Sequence, residues 1–123
     1  MSSSPDDTLP PKMVDAHDIA QRTSLLYHQV YATVVASDPS CIERAREVID
    51  NEIRSTGGTM GEQLWARLLG MPWSHIRVRM LADSPEGRLL RSNSPFSIVI
   101  GTTDTETRRR MWRQAKRDLS TAT

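Results

Sequence analysis

The chain has 123 residues, 37% of them hydrophobic and 25% charged, with a formal net charge of +1. That length suits one domain with a real core, and the composition is that of a folded protein rather than a disordered one. No run of about 18 apolar residues is present to span a bilayer, and the single cysteine, Cys41, excludes an intrachain disulfide and fits a reducing, cytoplasmic setting.

Residues 1–15 are polar, acidic and proline-rich, without the basic start and apolar stretch of a secretion signal. They are expected to form a disordered lead-in to a single helical domain over 16–120. A first helix, about 16–36, carries Ile19, Leu26, Val30 and Val34 as its apolar stripe. Asp38-Pro39 then marks the start of a second, about 39–54, lined by Ile42, Ala45, Ile49 and Ile53 and stopped by Gly57-Gly58. Thr59 and Glu62 fit a reciprocal capping box for a third helix, about 60–69, whose core face is Leu64, Trp65, Leu68 and Leu69.

Gly70-Met71-Pro72 breaks the chain before a fourth helix holding Trp73, Ile76 and Met80. Ser84-Pro85 and Ser94-Pro95 each place a capping oxygen before a proline, predicting helices at about 85–91 and 95–100, with Phe96 plugging the core. Beyond the stop at Gly101, Thr103 and Glu106 form a second capping box for a last helix, about 104–119. Residues 75–81 alternate polar and apolar and residues 96–100 are rich in β-branched side chains, so a hairpin competes there; the proline starts favour helix. The expected fold is therefore all-α, a compact bundle of five to seven short helices.

Charge is unevenly spread, with nine acids and five bases in residues 1–58 against six acids and eleven bases in 59–123. The asymmetry suits an acidic or polyanionic partner for the second half, or self-association of opposite faces. Its centre is TETRRRMWRQAKR, residues 105–117. On a helical wheel Met111, Trp112, Ala115 and Leu119 share one side, with Arg108 among them, and Arg109, Arg110, Arg113, Lys116 and Arg117 hold the other. Trp112 is accordingly expected as a core anchor and the five bases as a solvated face. Arg88 and Arg91, with Arg77 and Arg79, are candidates to extend that face toward a partner. A protein with an acidic surface is the first expected partner and a nucleic acid the second, without helix-turn-helix, zinc-finger or RNA-binding motifs to specify readout. No membrane contact and no cofactor are expected.

Catalytic patterns are sparse. His17, His28, His75 and Cys41 have no metal-ligand spacing, and no glycine loop is built to cradle phosphate. Arg22 and His28, in RTSLLYH, resemble the arginine–histidine motif of the HEPN family, helical domains that often cleave RNA and dimerise. That resemblance implies an acid–base role for His28 and electrostatic stabilisation by Arg22. Six positions amount to about 240° on a helix, however, which puts the pair on different faces of an unbroken one.

The segment LADSPEGRLLRSNSPFSIVIGTTDTETRRRMWRQAKR, with Asp83, Ser84, Arg88, Leu90, Arg91, Ser94, Pro95, Phe96 and Trp112, is similar to small bacterial helical proteins. Those combine a Ser-Pro-Phe turn with a basic Trp-containing helix and are associated with toxin–antitoxin or defence operons. WARLL, residues 65–69, fits the same pattern, while Thr102-Thr103-Asp104 is longer than the usual turn. The resemblance implies a non-catalytic regulator or inhibitor of antitoxin type that acts by binding a macromolecule.

Overall fold

The computed structural model describes residues 15–101 and 105–121; the expected lead-in and the capping residue Thr103 lie outside the described residues. Among the described residues there are seven helices and no strand: α1 (Ala16–Ser37), α2 (Ser40–Thr56), α3 (Met60–Leu68), α4 (Trp73–Met80), α5 (Pro85–Ser92), α6 (Phe96–Val99) and α7 (Thr105–Thr121). Both segments that compete as a hairpin are helical, as α4 and α6.

The boundaries follow local chemistry. Asp15 opens α1 by accepting from the Asp18 amide at 2.8 Å, which satisfies one of the orphan donors of the first turn. Both halves of the Thr59–Glu62 capping box are made at α3. Ser84 caps α5 through the Gly87 amide at 3.0 Å, with Pro85 in the first turn. Gly57 closes α2 in the left-handed region, φ 83°, which a side chain would strain.

The core is built by short helices around two aromatic rings. Trp65 and Phe96 are fully buried and meet edge to face at 5.6 Å, and Trp73 also meets Phe96 edge to face at 6.3 Å. The Trp65 indole N–H donates to the Leu90 carbonyl at 2.7 Å, so burial leaves that donor satisfied. Val35, Ala45, Ile49, Leu68, Leu69, Ile76, Met80 and Leu90 fill the remaining space.

α1 departs from the expected stripe. Its buried residues are Ile19, Leu25, His28, Tyr31, Ala32 and Val35, while Val30 is 43% exposed. The reason is tertiary: α2, α5 and α7 all pack against α1, so its covered face lies among three neighbours. A count of aliphatic residues on one helix cannot locate that centre.

Candidate functional site

α7 lies mainly along α1. Its face is set by Ala115, which is fully buried, with Met111, Asp118 and Leu119 partly covered around it. Alanine at the centre lets two helix backbones approach closely. Trp112 precedes Ala115 by three positions and so sits about 60° round the helix, at the rim of the contact. It is 45% exposed. The expectation of a core anchor is therefore corrected: the tryptophan borders solvent, and Ala115 is the buried residue.

Arg109, Arg110, Arg113, Lys116 and Arg117 are all exposed, as expected of the solvated face. Lys116 Nζ stands 5.3 Å from the centroid of the Trp112 ring, a cation–π contact that ties the aromatic rim to the basic face. Arg117 donates to Gln114 at 2.6 Å, and Arg113 approaches Glu106 at 4.0 Å. The side chain of Arg108 lies outside the described residues.

The wider basic patch does not assemble. Arg91 is 4% exposed and donates from Nη1 to the carbonyls of Met80 and Ala82 at 2.9 and 2.8 Å. It is a buried strut between α5 and the end of α4 rather than a surface contact, because its long side chain reaches carbonyls that the turn leaves unmatched. Burial lowers its affinity for a proton, and nearby Asp83 offsets part of that. Arg88 is exposed but pairs with Asp83 at 3.2 Å. Arg79 makes a two-pronged pair with Glu86, both bonds at 2.8 Å, while Arg77 is exposed.

Two concavities flank the α1–α7 contact. One, about 520 Å³, is lined by charged groups of both signs, among them Asp18, Arg22, Asp83, Arg88 and Asp118. Arg22 and Asp118 pair across it at 3.1 Å. The other, about 430 Å³, is aromatic, walled by Tyr27, His28, Tyr31 and Trp112, with Arg91, Ser97 and small residues of α1. Tyr27 and Tyr31 stack at 6.2 Å, and His28 meets Tyr31 edge-on at 4.9 Å.

His28 is 2% exposed, and its Nδ1 lies 2.7 Å from the Ser24 carbonyl. A carbonyl only accepts, so Nδ1 carries the proton and Nε2 is left as an acceptor. Desolvation lowers the pKa of this imidazole to about 4, against a smaller upward pull from the Ser24 carbonyl, so it is neutral near pH 7. Burial also holds the Tyr31 phenol above its ordinary pKa, with Tyr27 adding to the effect.

The Arg22–His28 pair is not brought together. α1 runs unbroken through both residues, Arg22 facing the charged groove and His28 the aromatic cavity. Among the described residues, no group of three His, Cys, Asp or Glu is placed to hold a metal. No described helix is long and apolar enough to cross a membrane.

The aromatic cavity is the feature that sequence reasoning missed. Its one legible signal is Tyr27 and Tyr31 at the i, i+4 spacing that puts two rings on one helix face. That Trp112 of α7 completes the wall depends on how the two helices dock. Comparisons with protein families, curated proteins and solved structures return no match.

Proposed function

We propose that the chain is a non-catalytic regulatory protein that binds a macromolecule through α7, and that single-stranded nucleic acid is the partner class its geometry suits best. The observation that carries this reading is the half-exposed Trp112 ring set among exposed Arg109, Arg110, Arg113, Lys116 and Arg117. Cations that track a phosphate backbone and an aromatic face on which bases stack are the two components of sequence-tolerant single-strand binding. An acidic protein surface is the second reading. Tryptophan and arginine are the residues most enriched at binding hot spots, and the antitoxin-type resemblance favours a protein.

Salt separates the two. A fluorescein-labelled single-stranded DNA or RNA 15-mer should bind with log K falling linearly in log salt, no more steeply than about −3.5 for five cations. Trp112→Ala should weaken binding while the circular dichroism of the fold is unchanged. No binding at ~50 mM salt, where electrostatic attraction is strong, sinks the nucleic-acid reading and leaves the acidic protein.

A further inference from the structure

The side of α1 around Val30 is only half covered by the fold. Val30 is 43% exposed, Ala16 and Ala20 are exposed, and Thr23, Tyr27 and Val34 are half-buried. These six positions alternate spacings of four and three along an unbroken helix, the a and d pattern of a seam that pairs with another helix. None of them is charged, and residues 23–37 hold no Asp, Glu, Lys or Arg. A helix face that stays in water is ordinarily charged or polar. The Thr23 hydroxyl at the seam and the Ser37 hydroxyl at its end donate to carbonyls one turn back, at 2.7 and 3.3 Å. Covering the seam therefore strands neither donor.

We infer that this seam pairs with the same seam of a second copy, the two α1 helices antiparallel about a two-fold axis beside residue 25. The seam is complementary to itself. Its first half is small, with Ala16, Ala20 and Thr23, and its second half is large, with Tyr27, Val30 and Val34. Antiparallel pairing sets Ala16 against Val34, Ala20 against Val30 and Thr23 against Tyr27. One axis generates all three layers, as an isologous contact requires. Small against large at every layer lets the two helices approach evenly. Parallel pairing would oppose Tyr27 to itself and leave a gap between alanines. Charge agrees, since two uncharged seams meet without repulsion or a stranded ion, whereas an acidic surface finds no cation within the seam. The hollow over Ala20, Thr23 and Tyr27 is the room that Tyr27 of the second copy enters. The exposed bases of α7 lie on the side of that helix away from Ala115 and α1, so pairing leaves each basic face open.

Ala16 to Val34 spans about 27 Å. One helix on each side covers less than the roughly 800 Å² per partner of a standard interface, so half of the chain should pair only at ~10–100 µM. Sedimentation equilibrium of the full chain should accordingly show monomer–dimer exchange between ~5 and ~500 µM. Val30→Glu puts a charge in the seam and should weaken pairing about tenfold or more, with the circular dichroism unchanged. Gln29→Glu adds the same charge at an exposed position off the seam and should change pairing by less than about twofold.

Oxidising a mixture of Ala20→Cys and Val30→Cys chains reads the register. The two should cross-link to each other and neither to itself, because each position lies about 15 Å from its own copy, beyond the ~7 Å that a disulfide spans. Native Cys41 is 2% exposed and stays out of the reaction. Cross-linking also decides if Val30→Glu does not fold. A chain that is monomeric at ~500 µM overturns the dimer and leaves the seam to another protein. Pairing that Val30→Glu leaves intact, or that Gln29→Glu weakens equally, overturns the seam. A mixture that fails to cross-link, or a single variant that cross-links alone, overturns the antiparallel register.

Discussion

Burial of His28 makes stability depend on pH. Its folded pKa of about 4 lies below the ordinary 6.5, so the unfolded chain takes up a proton that the folded chain refuses. Stability from this group is complete above pH ~6.5, falls as the pH drops and levels off below ~4, with a total loss of about 3 kcal/mol. Denaturant melts between pH 7 and 4.5 should show the fall, and His28→Phe should flatten it; an unchanged slope in the variant would falsify the assignment to His28. The tryptophans differ as sharply by position. Trp65→Ala opens a cavity in the centre of the core and should cost about 3–5 kcal/mol. Trp112→Ala, at a half-exposed rim, should cost about 1 kcal/mol. Thermal melts of the two variants check the contrast.

Among the elements, α5 is pinned at its start by a glycine. Gly87 is buried where a Cβ would collide with the Ala82 carbonyl, which the Arg91 guanidinium also grips. Gly87→Ala should therefore destabilise by about 1–3 kcal/mol despite improving helix propensity. A melt that rises would show that the turn can give way. α7 is held differently: among its described side chains one small residue, Ala115, is fully buried, with partly covered neighbours and the Arg22–Asp118 pair. Few buried apolar contacts mean a low local opening energy. Amide hydrogen exchange should be faster in α7 than in α3, and Asp118→Asn should accelerate it further with little change in the global melt, since a part-exposed pair contributes under about 1 kcal/mol. Equal protection in the two helices would show that α7 belongs to the main cooperative unit.

At the scale of the whole molecule, much of the positive charge in the second half of the sequence lies, among the described residues, on the exposed face of α7. Arg79, Arg88 and Arg91 are engaged within the fold, so the five exposed bases of α7 are the face proposed to meet a polyanion. Replacing Arg109, Arg113 and Lys116 together by glutamine should leave the melting temperature nearly unchanged, because exposed charges contribute little to stability. The same variant should flatten the salt slope for a single strand by about 2, the loss expected for three fewer phosphate contacts. An unaltered slope would place the contact elsewhere on the surface.

The helical class and most boundaries were legible in the sequence because they depend on neighbours along the chain. Thr59 with Glu62, Ser84 before Pro85 and Gly57 at a positive φ act within one turn of helix. Trp65, Ile76, Met80 and Phe96 were legible as core for a related reason, since each helix around them offers one apolar side. The exposed side of α7 followed from the same periodicity. Residues at the seams were not legible. Trp112 and Ala115 both fall on the apolar side of α7, and only the close approach of α1 decides that alanine is buried and tryptophan stays at the rim. Arg91 reads as a surface base until the α4–α5 turn places two carbonyls within its reach. The aromatic cavity belongs to neither helix alone. It arises from the docking of α7 along α1, a long-range contact between the two ends of the described chain, which local periodicity does not encode.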